Sequence, residues 1–275
     1  MSGLGEVWMW NVDPVWSHHA SMIKESILST ESCDDFSRHH HLMGCLYFGI
    51  GVIESFLNKM MRNVMENELT SEDEIFKHLR KTSFNVKKMK WPSVICGREV
   101  HIPDMYMSTI DSCNVLRGEI THPKRRDHSI YRDLEEVGPA AFAEAVTCFI
   151  VYIYQEKEEV FPYWLLGWNC VGMNGDVACM ELSNNLNGFV WSLARMGLLE
   201  VPAGGHLSEI WEKEYMTSIS GYSAIKSRLD SYPEDIEPFN SIGNIPFPRL
   251  TKRWWDRNYI LSKTPDAFRS RRVFS

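Results

Sequence analysis

The sequence predicts a mainly α protein: a bundle of four to five helices followed by a C-terminal α+β extension. Three observations carry that expectation. Apolar side chains recur every three or four positions over residues 42–64, a helix-opening pair stands at Ser71 and Glu74, and beyond Val160 the pattern changes to one with a hairpin signal at Asn174-Gly175. The implied division is a cap segment over residues 1–34, the bundle over 35–158 and the extension over 159–275.

Taken in order, the stretch to about residue 30 holds Trp8, Trp10 and Trp16 without a clear period, so no element is assigned there. Leu42, Leu46, Ile53, Leu57, Met60 and Val64 then follow helical spacing, and Cys45, Phe48, Val52 and Phe56 widen the stripe into a long, largely buried helix. Ser71 with Glu74 three residues on is a capping box, opening a second helix with Ile75, Phe76 and Leu79 that ends near Phe84. Residues 87–102 contain Pro92 and Gly97 among β-leaning residues and read as a loop, with room for a short strand. Pro103-Asp104 opens a third helix with Met105, Met107, Ile110, Cys113 and Leu116 facing inward; it stops near His122, because Pro123 disfavours α geometry in the residue before it. A fourth helix covers residues 134–157, its first turn starting either at Leu134 or at Pro139.

In the extension, residues 164–173 and 177–182 flank Asn174-Gly175 as two hairpin strands, which would set Cys170 opposite Cys179 as a structural thiol pair. Residues 208–229 read as a further helix and 233–248, rich in proline, as irregular chain.

Composition narrows the function classes. A chain of 275 residues with 44% hydrophobic content can bury a core. The start lacks a basic-then-apolar leader and the longest apolar run, residues 148–154, is too short to cross a bilayer, so a soluble cytoplasmic protein without a membrane partner is expected. Seven cysteines without a C-x-x-C pair argue against a disulfide framework or zinc knuckle. His39, His40 and His41 are consecutive and point different ways on a helix, so neither a metal nor another cofactor is expected. The net charge of −7 is not that of a general nucleic-acid binder, yet basic side chains gather at Lys124, Arg125, Arg126 and Arg132 and again near the C-terminus.

One stretch carries chemistry. In "VLRGEITHPK", Arg117 and His122 stand with four residues between them on the last turn of the third helix. On a regular helix they lie about 140° apart, so either a slight unwinding near Pro123 or a second copy across a two-fold axis must bring them to one phosphate. With "IESFLNKM" in the first long helix, which supplies an E-x-x-x-N pair at Glu54 and Asn58, this stretch resembles the HEPN domains (higher eukaryotes and prokaryotes nucleotide-binding) over residues 35–158. Those are all-α bundles whose ribonuclease members carry R-x(4–6)-H. A departure is Gly118, where catalytic members often have a polar residue.

The resemblance implies an HEPN-like bundle acting as a dimeric, metal-independent endoribonuclease of the toxin or antiphage-defence kind, with Arg117 and His122 catalytic and an antitoxin or regulatory protein as restraint. The residue chemistry agrees. Cutting RNA without metal needs a base for the 2′-hydroxyl proton and an acid for the leaving 5′-oxygen, roles that histidine can fill near neutral pH. Arginine holds phosphate by two charge-assisted hydrogen bonds. Glu54 and Asn58, one turn apart, are placed to orient the motif, and Lys124, Arg125, Arg126 and Arg132 to guide RNA. Two other readings stand beside it: Arg117 and His122 as cations complementing the helix dipole, and a non-catalytic interaction module that binds a nucleotide, RNA or protein.

Overall fold

A computed structural model describes residues 14–122, 129–166 and 212–230. The chain divides into two compact units, residues 1–150 and 151–275, and the boundary falls inside a helix. The helices are α1 (Pro14–Glu31), α2 (Asp35–Asn67), α3 (Glu72–Lys81), α4 (Phe84–Cys96), α5 (Asp104–Thr121), α6 (Ser129–Glu135), α7 (Pro139–Lys157) and α8 (Ile219–Asp230), with a 3-10 turn at Tyr163–Leu166. The described part is thus mainly helical, and no strand occurs among the described residues.

In the first unit α2 is the axis. Its start is fixed by Asp34, whose Oδ1 accepts the amide of Ser37 at 2.8 Å; that bond holds the Asp34 carboxyl below its ordinary range. Leu42, Leu46, Ile50, Ile53 and Leu57 are fully buried along it, as the apolar spacing requires. The helix closes on Leu69, a left-handed residue (φ 59°), while the amide of Thr70 reaches back to the carbonyl of Met65 at 3.0 Å.

The segment without a visible period is α1, and it packs extensively along α2. Its buried stripe steps by four and three through Val15, His19, Met22, Ser26 and Ser29, but three of those five side chains are polar, so an apolar count misses it. Two of the polar members have side-chain bonds: His19 Nε2 lies 2.9 Å from Thr147 Oγ1 on α7, and Ser29 Oγ donates to the Ser26 carbonyl at 2.7 Å. His41 and Glu25 pair at 2.6 Å across the same seam. Gly49 lets α7 approach closely, since a Cβ there would stand 2.3 Å from the ring of Phe142.

The capping box forms: Glu74 Oε2 accepts from Ser71 Oγ at 2.8 Å and from its amide at 3.4 Å. Arg62 ties α3 back to α2 through Glu72 at 2.7 Å. Residues 87–102 are not a loop as the sequence suggested; most of them belong to α4. Ser83 opens this helix, Pro92 sits inside it, and Gly97 ends it with φ 65°. The proline forfeits one backbone bond, which anchored side chains on either side of α4 offset. Helix α5 has the expected bounds and buries Ile110, Cys113 and Leu116, whereas Met105 at its start is exposed. The fourth predicted helix is α7, which opens at Pro139, a favoured first helical position, and the short α6 precedes it where no helix was expected before Leu134.

In the second unit, residues 164–166 form the 3-10 turn, not the start of a strand, because the Leu165 amide bonds back to the Pro162 carbonyl at 3.0 Å. Gln155 Oε1 accepts the first amide of α8 at 2.9 Å, and Phe161 meets Tyr222 edge-on at 5.9 Å. The hairpin turn, Cys170 and Cys179 lie outside the described residues. No single described helix is long and apolar enough to cross a membrane; only α6 and α7 together reach that length, and they are bent by 67°.

Candidate functional site

The last turn of α5 carries both motif residues. Leu116 is the final buried side chain of this helix, and none from 117 to 122 is buried. The turn is regular to its end, since the amide of His122 donates to the Gly118 carbonyl at 3.0 Å. The unwinding that the sequence reading offered as one route to convergence is therefore absent. Arg117 and His122 leave the helix about 140° apart and about 7.5 Å along its axis. One copy does not bring them together as adjacent groups.

Their environments differ. His122 is exposed at the helix end. Arg117 is half-buried, and its Nε is sealed from solvent without a hydrogen-bond partner. A guanidinium that gives up water at one nitrogen and gains no acceptor is a costly arrangement unless something else supplies the acceptor. Beside it, Gly118 faces open space: a Cβ there would meet no atom within 4 Å. Among the described residues, packing does not require glycine here.

Glu54 and Asn58 follow one another on α2, but Glu54 is committed elsewhere. Its Oε1 takes the ammonium of Lys87 on α4 at 2.8 Å, and it makes no hydrogen bond to Arg117 or His122. Asn58 Oδ1 is sealed from solvent with no partner, as is Asn114 Oδ1 one turn before Arg117. The Glu54–Lys87 pair and the 3.5 Å bond from Asn114 Nδ2 to Asn85 of α4 make a polar seam among α2, α4 and α5. Lys88, adjacent to Lys87, pairs with Asp111 of α5, so α4 fastens two neighbours with consecutive residues. Trp91 flanks the seam, with Lys87 Nζ 5.4 Å from its ring and His78 stacked on it at 5.5 Å.

Sequence reasoning missed the two lysines because it read their helix as a loop. Helical numbering of residues 84–96 would have set Lys87 and Lys88 beside Trp91 and Ile95, the positions that turn out buried. Of the basic side chains proposed to guide RNA, Arg132 lies on α6, 71% exposed and 3.4 Å from Asp133, while Lys124, Arg125 and Arg126 lie outside the described residues. Of the three consecutive histidines, His39 turns to α6, where its Nε2 is 3.4 Å from Glu135 and its ring 5.3 Å from Tyr131, while His41 turns to α1 and meets the His40 ring edge-on at 5.4 Å. Among the described residues no three His, Cys, Asp or Glu side chains gather as a metal ion needs.

Compared with known proteins, the chain matches no family model, no curated protein and no solved structure. The functional reading therefore stands on residues and their geometry.

Proposed function

We propose that this chain is an HEPN-type endoribonuclease that cuts RNA without metal as a homodimer, of the toxin or antiphage-defence kind and held in check by a partner protein. The observation that carries the reading is the half-buried Arg117 on the last turns of α5, about 7.5 Å along the axis from an exposed His122. An RNA phosphate is met by the outer guanidinium nitrogens of this half-buried side chain, and the guanidinium stabilises the extra charge of the transition state. Because the two groups diverge on one helix, a two-fold axis beside the open face at Gly118 is what would set the arginine of one copy near the histidine of the other.

In that arrangement one neutral imidazole takes the proton of the 2′-hydroxyl, whose oxygen attacks the adjacent phosphorus. The symmetry-related imidazolium gives a proton to the departing 5′-oxygen, leaving a 2′,3′-cyclic phosphate and a 5′-hydroxyl. Purified protein with excess chelator should cleave single-stranded RNA. His122→Ala should cut the rate by about 10²–10⁴-fold, and Arg117→Ala by about 10²–10³-fold, with circular dichroism unchanged. Wild-type cleavage by both variants overturns the proposal.

The engagement of Glu54 by Lys87 favours a second reading, in which the same bundle is a non-catalytic module that binds a nucleotide, RNA or protein. Expression of the chain alone separates the two: growth inhibition relieved by His122→Ala belongs to the enzyme only.

A further inference from the structure

Helix ends fray, and the last turn of α5 has no buried side chain to hold it. Yet that turn must carry Arg117 and His122 in fixed directions if they are to act on one phosphate. What secures it is a chain of two hydrogen bonds from α2. The phenol of Tyr47 and Thr121 Oγ1 are 2.8 Å apart, and Thr121 Oγ1 donates to the Arg117 carbonyl, also at 2.8 Å.

The direction of the first bond follows from the second. A threonine hydroxyl has one proton, and here it is spent on the Arg117 carbonyl, so Thr121 Oγ1 can only accept from Tyr47. The phenol is thus the sole source of the relay, and the Arg117 backbone is its end. Tyr47 is 41% exposed, so its hydroxyl is not needed to satisfy a buried group and its ring is not part of the core. It stands on α2, whose fully buried stripe gives the relay a fixed base.

We propose that Tyr47 is a positioning residue for the Arg117–His122 turn, acting through Thr121; the inference rests on the ribonuclease reading for its consequence in catalysis but not for its structural content. Removing only the phenolic oxygen should loosen the turn while leaving the fold intact. In Tyr47→Phe the amides of Thr121 and His122 should exchange with deuterium about fivefold faster, while amides in the middle of α2 and α5 keep their rates. Thr121→Val should accelerate the same amides, and adding Tyr47→Phe to it should change nothing further, because the acceptor of the phenol is already gone.

Where RNA is cleaved, Tyr47→Phe should lower kcat about tenfold with KM nearly constant, a split that lost packing would not give. Unchanged exchange in Tyr47→Phe overturns the proposal, as does full additivity of the two substitutions. So does an unaltered kcat in an active enzyme. If wild-type protein shows no cleavage that depends on His122, the ribonuclease reading falls, and the exchange measurements still decide the role of Tyr47.

Discussion

Lys87 is 3% exposed and gives its ammonium to Glu54, a carboxylate that keeps 40% of its surface in water. The pair is therefore lopsided: one member is shut inside the helix packing and the other is anchored at its rim. Removing the rim member strands a buried charge, whereas removing the buried member leaves a carboxylate that water can take over. Glu54→Ala should cost about 2 kcal/mol, and Lys87→Met, which keeps the apolar stem, less than about 1 kcal/mol. Urea denaturation of both variants checks this, and equal costs would contradict it.

The contact of Gly49 with Phe142 makes a second prediction. Alanine usually favours a helix over glycine, but here the added Cβ meets the ring at 2.3 Å. Gly49→Ala should lower stability by about 1–3 kcal/mol. Combining it with Phe142→Leu should recover part of that loss, as read by thermal melting of the double variant against both singles.

Leu69 closes α2 with φ 59° and is 92% exposed, so its side chain contributes strain and little burial. Leu69→Gly should raise stability by about 1 kcal/mol, the opposite sign to most glycine substitutions. Asn at the same position should have a smaller effect in the same direction.

Burial pushes the Cys45 and Cys113 thiols up to about 12 and Cys148 up to about 11 from an ordinary value of 9.0. The folded state keeps these protons where the unfolded chain releases them. Stability is thus fully present below pH 9 and falls between pH 9 and 12. Denaturation midpoints taken across that range should drop steeply, and replacing the three residues by alanine should flatten the decline. At neutral pH, alkylating reagents should reach the exposed Cys33 well before these three.

The sequence yields helices wherever their buried stripe is apolar. Residues 42–64 and 104–121 are read as helices because Leu, Ile and Cys occupy the inward positions and Pro123 marks the stop of the second, but the first begins at Asp35, two turns before its apolar spacing starts. It misses α1, whose stripe runs through His19, Ser26 and Ser29, and α4, where two buried lysines and an internal proline imitate a loop. Both hide polar side chains inside the helix packing: His19 reaches Thr147, the two lysines reach Glu54 and Asp111, and Ser29 bonds back to its own helix, so none of them reads as buried in the sequence. The candidate site divides the same way. The helix terminus bearing Arg117 and His122 is evident from Pro123 and the spacing, while the commitment of Glu54 to Lys87 and the reach of Tyr47 to Thr121 depend on contacts 33 and 74 positions apart.

The adjacency of Lys87 and Lys88 has an evolutionary consequence. Because consecutive residues serve different neighbours, the rotation of α4 about its axis is set from two directions at once. One residue inserted between the start of α4 and Lys87 would turn the remainder by about 100° and tear both ammonium groups from their carboxylates together. Length changes in this part of the chain should accumulate in the short links flanking α4 and be excluded from the helix itself.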